Sequence, residues 1–249
     1  FGFPLDLTQI LAREREVSVD EVGFADSMSQ QRERSRAAWR AAGGGGGGGD
    51  VYAEILKESG TTEFLGYGRH SAESDIIALV RGDEWVSGAH EGDEVSVILN
   101  RTPFYGESGG QVGDIGTLES QNAKLEVIDT IKPIPDLFVH KCKVTEGEIV
   151  PQTTIEATIN SERRAHIAVS HTATHILHSA LRAVLGTHVG QAGSLVEAGR
   201  LRFDFTHYEA ITADELHDIE SFINDKVRLN QPTQIEYLPL EGAKGMPGV

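Results

Sequence analysis

The chain reads as an α+β protein: a short N-terminal helical segment, a small antiparallel β-barrel, and then an α/β core with helices on a sheet. Three observations carry this reading. A run of seven glycines, Gly43 to Gly49, separates a charged, helix-patterned start from the rest of the chain. Short alternating apolar stretches broken by Gly, Asp and Asn fill residues 51 to 150. Beyond Pro151, strand-like and helix-like patterns alternate.

Within residues 1–42, Pro4-Leu5-Asp6-Leu7-Thr8 enters a helix continuing through Gln9 to Glu16. Ser18-Val19-Asp20-Glu21-Val22 opens another with an acidic first turn, where the helix dipole favours negative charge. That second helix runs from Val22 to Trp39, and Gln30-Gln31-Arg32-Glu33-Arg34-Ser35-Arg36 reads as its solvated face. Consecutive glycines neither pack a core nor hold a helix, so residues 43–50 are expected to be a flexible linker. The run is not a phosphate loop, because it lacks a preceding strand and a closing Gly-Lys-Ser/Thr.

Five stretches in 51–150 have strand character: Thr62–Tyr67, Ile76–Val80, Glu94–Leu99, Lys124–Ile128 and Phe138–Cys142. Several short strands at regular spacing predict a small barrel, with Val95, Val97 and Leu99 pointing inward. An oligonucleotide-binding barrel has this outline, yet its basic and aromatic surface is missing.

From 151 to 249 the expected order is a strand at Ile155–Ile159, a helix opening at Ser161, a strand at Leu201–Phe205, and a further helix. That last helix is signalled by Thr212-Ala213-Asp214-Glu215, a capping box, followed by Leu216, Ile219, Ile223 and Val227. Pro232 ends it, and Gln234–Leu238 is a final strand candidate.

Composition narrows the functional classes. With 39% hydrophobic residues in 249, the chain can bury real cores, and no apolar run approaches a membrane span. The first residues, Phe1-Gly2-Phe3-Pro4, carry neither an initiator Met nor a signal-peptide pattern, and the expectation is an excised fragment of a cytoplasmic protein. The single cysteine, Cys142, fits a reducing compartment and reads as a buried structural thiol. A net charge of −16, from 38 acidic and 22 basic residues, argues against non-specific nucleic-acid binding, which needs clustered Lys and Arg.

The chemically distinctive stretch is Ser170-His171-Thr172-Ala173-Thr174-His175-Ile176-Leu177-His178, followed by Gly190-Gln191-Ala192-Gly193-Ser194-Leu195. Residues four apart on a helix share a face with β-carbons about 5–6 Å apart, so His171 and His175 can offer two imidazoles to one metal ion. Ala173, Ile176, Leu177, Ala180, Leu181, Val184 and Leu185 supply a docking face. Thr172 stands where a zincin protease places its Glu, which excludes that class. Upstream, Thr102-Pro103-Phe104-Tyr105-Gly106-Glu107-Ser108-Gly109-Gly110-Gln111-Val112-Gly113-Asp114 holds glycines that allow close backbone approach, and an amide in Gln111. A lone Gly-Gly-Gln is usually a turn.

These two motifs, in this order and joined by Arg163-Arg164-Ala165-His166 and Arg202-Phe203-Asp204-Phe205-Thr206-His207, resemble the editing region of alanyl-tRNA synthetases, shared with the freestanding AlaX proteins. The likeness covers most of residues 51 to 240, and Gly106 departs from it where Ala is expected. It implies a loop at 102–114 facing a metal cleft, with His171 and His175 as two of four Zn2+ ligands. Relatives supply the other two from a Cys-x-x-x-His pair downstream of about residue 242, which this sequence lacks, so weak or absent metal binding is expected of it. His178, one turn on from His175, is a candidate third ligand.

By the same resemblance, Gln191 and Gln111 orient substrate or water, and Thr172 and Thr174 line the floor of the cleft. Arg163, Arg164, Arg200 and Arg202 bracket it and meet the acceptor end of tRNA(Ala), unless salt bridges to Glu162, Glu197 or Asp204 occupy them. Asp204 is a candidate to support a ligand histidine. The start of the chain resembles the end of the tRNA-recognition segment, which makes Arg32, Arg34, Arg36 and Arg40 further contact candidates. No ATP-binding activation core is visible, so ATP and Mg2+ belong to a part of the enzyme outside this chain. The chemistry implied is hydrolysis of Ser-tRNA(Ala) and Gly-tRNA(Ala), since a pocket for alanine discriminates methylene-scale differences by only about 1–3 kcal/mol. A freestanding deacylase and a non-catalytic tRNA-binding domain are the alternative readings.

Overall fold

The computed structural model describes residues 19–20, 23–24, 27–28 and 48–232. The helices expected over 1–42, their four arginines, and the strand expected at 234–238 lie essentially outside the described residues. Helix α1 (Gly48–Ser59), the first described from end to end, differs from expectation: it reaches back into the last two glycines and occupies 51–59, where the sequence pattern signals no helix. Its apolar residues Val51, Tyr52 and Ile55 are buried, and each such side chain removed from water is worth about 1.5–3 kcal/mol. Tertiary packing therefore outweighs the poor helix propensity of glycine at its start.

Two short strands, β1 (Glu63–Phe64) and β6 (Arg101–Thr102), pair in parallel beside the main sheet. The barrel proper is built from β2 (Ser71–Arg81), β5 (Glu94–Leu99), β7 (Gly116–Glu119), β8 (Ala123–Ile134), β9 (Leu137–Ile149) and β10 (Thr154–Ile159). In the order β2-β5-β9-β8-β7-β10 and back to β2, every neighbour is antiparallel, so the sheet closes on itself. Short strands β3 (Glu84–Trp85) and β4 (Ala89–His90) extend its margin. Closure removes the exposed sheet edges that invite aggregation. It also distinguishes this six-stranded barrel from the five-stranded, partly open oligonucleotide-binding fold.

The alternating pattern sorts the side chains as expected. Val95, Val97 and Leu99 enter the barrel core with Leu79, Leu118, Leu125 and Ile155, while Ile98 and Val80 on the other face are covered by α1. The strand at 155–159 forms where the sequence places it, but it is β10 and closes the barrel rather than opening the α/β core. The barrel therefore runs nine residues past position 150, because the sheet needs this strand to seal the gap between β2 and β7.

The second unit is helix α2 (Ser161–Leu185) packed on the hairpin β11 (Gln191–Glu197) and β12 (Arg200–Phe205), with helix α3 (Ala213–Leu229) packed against α2. Asn160 caps α2 by accepting a hydrogen bond from the Arg163 N–H at 2.9 Å. The capping box of α3 forms as read: Glu215 N–H donates to Thr212 Oγ1 at 3.3 Å, and Thr212 N–H donates to Glu215 Oε2 at 2.8 Å. Ala180, Leu181, Val189 and Ile219 make the small core between helices and hairpin. No helix among the described residues is long and apolar enough to cross a membrane.

One buried polar group holds the barrel to the loop after β6. His140 on β9 is fully buried; its Nδ1 lies 2.9 Å from Val97 O and its Nε2 2.8 Å from Thr102 Oγ1. Thr102 Oγ1 in turn accepts from the Phe104 N–H at 3.1 Å. Burial disfavours the charged ring and pushes the His140 pKa from 6.5 down to about 4. The unfolded chain then takes up a proton below pH 6.5 that the folded chain refuses, so the stability that neutral His140 carries is complete above that pH and declines as pH falls toward about 4. The expected decline is up to about 3 kcal/mol, at about 1.4 kcal/mol per pH unit. Urea unfolding of wild type and a His140→Gln variant between pH 7 and pH 4 checks it: the wild-type curve should fall more steeply by that amount, and parallel curves would refute it.

Candidate functional site

The site starts from two helical turns of α2. His171 and His175 stand on its exposed side with rings stacked at 5.1 Å between centroids and 23° between planes, as the four-residue spacing requires. Facing them is the segment Tyr105 to Asp114 from the barrel. Gln111 Oε1 lies 2.6 Å from His171 Nδ1, and Gln111 is only 9% exposed. The two motifs separated by 60 positions in sequence thus meet side chain to side chain.

Ser108-Gly109-Gly110-Gln111 is a tight turn. Ser108 N–H donates to Gln111 O at 3.2 Å and Gln111 N–H to Ser108 O at 3.0 Å. Gly109 and Gly110 adopt φ of +59° and +83°, the left-handed pair that a type I′ turn requires and that glycine tolerates without strain. Gly110 serves a second need, because a methyl group there would run into the Ser194 carbonyl of β11. The close approach lets Val196 N–H donate to Gly110 O at 2.8 Å and Val112 N–H to Val196 O at 3.1 Å. Strand β11 is stitched to the barrel loop by these two rungs.

Asp114 ends the segment and is its anchor. Its side chain is 2% exposed and forms an ion pair with Arg164 on α2, whose own side chain is 18% exposed. The same carboxylate accepts from the Tyr105 N–H at 2.7 Å, which draws the two ends of the loop together. Arg164 also reaches Gly66 O at 3.0 Å and Pro103 O at 3.1 Å, so all three of its nitrogens are spent on protein oxygens. Its neighbour Arg163 donates to Gly113 O at 2.8 Å.

The remaining sequence-derived candidates divide. Thr172 is exposed, but Thr174 is buried and its hydroxyl donates to Ser170 O at 2.9 Å within the helix, so it packs rather than lines a cleft floor. Gln191 is exposed at the first position of β11, opposite Phe205 and five residues before the Val196 that touches the turn, about 16 Å of extended strand away. Arg200 and Arg202 are exposed and pair loosely with Glu197 at 3.9 Å and Asp204 at 3.1 Å. Asp204 therefore serves Arg202, and the group that contacts a candidate ligand histidine is Gln111. His178 stands 5.2 Å from the Phe203 ring with its Nε2 buried and unpartnered among the described residues, under β12.

Arg164 is the main correction. Sequence places it with three other arginines at the RNA, whereas its guanidinium is inside the protein, and no local pattern links it to its partner Asp114, 50 positions away. Cys142 is buried as expected, and burial raises its thiol pKa, which suits an inert core residue.

Chemically, the exposed end of this arrangement offers two imidazoles. Burial, and secondarily the charge of His175, hold the His171 pKa below its usual value of 6.5, so the ring is neutral and ligand-ready at pH 7. No group of three or more His, Cys, Asp or Glu able to hold a metal occurs among the described residues. His171 and His175 are therefore a pair of imidazoles on one helix face that no third such group joins among the described residues. Removing one partner of the buried Arg164–Asp114 pair strands the other charge, so Arg164→Met should cost about 3–5 kcal/mol in urea unfolding. A change below about 1 kcal/mol, the range of exposed pairs, would show that the latch is not stabilising.

The sequence model of the family described as tRNA synthetases class II (A) matches residues 1–163. The chain is 46% identical over 233 residues to an alanine–tRNA ligase of Sphingopyxis alaskensis, covering 93% of this chain and 26% of that protein. It is 43% identical over 243 residues to the alanine–tRNA ligase of Mesorhizobium japonicum, covering 98% and 27%, and 42% identical over 246 residues to that of Acetivibrio thermocellus, covering 99% and 28%. The chain spans about a quarter of the length of these curated relatives, and it belongs to the alanyl-tRNA synthetase family of class II.

Proposed function

We propose that this chain is the editing portion of an alanyl-tRNA synthetase, hydrolysing the ester of Ser-tRNA(Ala) and Gly-tRNA(Ala), within a parent enzyme that attaches alanine to tRNA(Ala) with ATP in the cytoplasm. The observation that carries the reading is the contact between Gln111 in the barrel turn and His171 on α2, which joins the two motifs of the editing resemblance into one site. Family membership supports the substrate class. Zn2+ held by His171 and His175, with ligands from elsewhere, would supply a Lewis acid or a positioned water beside the ester.

The chain's own residues do the rest. The Gly-Gly turn brings backbone and the Gln111 amide close to the histidine face, and Thr172 is exposed beside it on α2. Gln191, at the far end of β11, is the remaining candidate to orient substrate or water. Contacts to the acceptor end fall to Arg163, Arg200 and Arg202. The last two sit in exposed pairs worth no more than about 1 kcal/mol, which a phosphate displaces cheaply. Arg164 drops out of this set, being committed to Asp114.

In the full-length enzyme, His171→Ala with His175→Ala should abolish deacylation of Ser-tRNA(Ala) while leaving alanine attachment intact. Undiminished deacylation would reject the site and favour a non-catalytic domain. Charge reversal at Arg200 and Arg202 should weaken tRNA binding and reduce its salt slope by about 0.7–0.9 for each phosphate no longer neutralised. An unchanged slope removes these residues from the interface.

A further inference from the structure

We propose that Gln111 is a positioning residue for His171: its side-chain oxygen accepts the Nδ1 proton, fixes the ring in the Nδ1–H form, and leaves the Nε2 lone pair free. The sequence casts Gln111 as a group facing substrate or water. In the structure its oxygen is spent on the histidine at 2.6 Å. A carbonyl oxygen only accepts, so the facing ring nitrogen carries the hydrogen, and the other nitrogen of the neutral ring is left as the acceptor.

The support behind Gln111 is what makes this a device rather than a passing contact. Its main chain is bonded on both sides to Ser108, and the flanking residues Gly110 and Val112 are each bonded to Val196. Three residues on, Asp114 is locked to the helix that carries His171. A side chain that is 9% exposed and held by a backbone fixed at several points has little freedom to turn away.

A neutral amide oxygen is an acceptor of the same kind as the backbone carbonyls that commonly orient metal-ligating histidines through the far ring nitrogen, and it adds no charge beside the ring. Partners of this kind, bonded to the far nitrogen of a ligand histidine, typically change metal affinity by about 10- to 100-fold when removed. The value of a free Nε2 rests on the editing reading above; the tautomer itself does not.

The test is the 249-residue chain labelled with 15N-histidine, with long-range proton–nitrogen correlations recorded at pH 7.5 for wild type, Gln111→Leu and Gln111→Glu. The expected wild-type pattern is Nδ1–H at His171, shifted toward the Nε2–H form in Gln111→Leu and kept in Gln111→Glu, which retains an acceptor. In the full-length enzyme, competition with a chromophoric chelator should show zinc held about 10- to 100-fold more weakly by Gln111→Leu. An Nε2–H ring in the wild type would overturn the proposal, as it would mean that the amide donates to Nδ1; identical wild-type and Gln111→Leu spectra would overturn it too. Deacylation of Ser-tRNA(Ala) by the wild type is read separately: its absence alongside an Nδ1–H ring would reject the editing reading and leave the positioning role standing.

Discussion

The ion pair between Asp114 and Arg164 sets the register of everything chemically interesting in this molecule. From Arg164 to His171 is seven residues, two turns along one side of α2, or about 10.5 Å of helix rise. From Asp114 back to Gln111 is three residues, about 10 Å of extended chain. Once the carboxylate is fastened to the guanidinium, the loop runs antiparallel to the helix and Gln111 arrives level with His171. Arg163 adds a second tie between the first turn of the helix and the end of the loop by donating to Gly113 O. A buried ion pair adds little net stability over an apolar pair, but its directional bonds admit one register, and here the register is what places the two motifs together.

The barrel contributes rigidity on the opposite side of the loop. Closure of β2 against β10 fixes both ends of the segment that begins at Thr102 and ends at Asp114. His140 anchors the entry through Thr102, and Thr130 anchors the exit by donating to Asp114 O at 2.8 Å. Both anchors are fully buried, where a satisfied hydrogen bond is strong and an unsatisfied one costly, so the loop has no cheap alternative conformation. The glycine turn between them then hands its backbone to Val196, which brings the β11–β12 hairpin into contact with the barrel.

Local interactions are the ones a sequence discloses. The α3 capping box lies within four residues, and the His171–His175 stack within five, so both are legible. The alternation of Val95, Val97 and Leu99 likewise encodes their inward face. Helix α1 is hidden because its start in glycine contradicts propensity and its stability comes from packing on Ile98 and Val139. The seam between β2 and β10 pairs Asp75 with Thr154, and nothing in either strand announces the other. Arg164 misleads for the same reason: side by side in sequence, Arg163 and Arg164 look equivalent, and only the distant Asp114 separates their roles.

Burial is the physical criterion that sorts these arginines. A chain with a net charge of −16 repels phosphates at long range, so any affinity for RNA has to come from a few cations able to change partners. Arg164 cannot change partners, since leaving Asp114 would strand a carboxylate that is 2% exposed. Arg202 can, because Asp204 at 48% side-chain exposure is hydrated whether or not the arginine stays. The exposed hairpin pairs keep local charge compensated, and their cations can change partners at small cost. One residue type thus serves as a fixed latch at Arg164 and as an exchangeable surface charge at Arg202, divided by how much water each partner keeps.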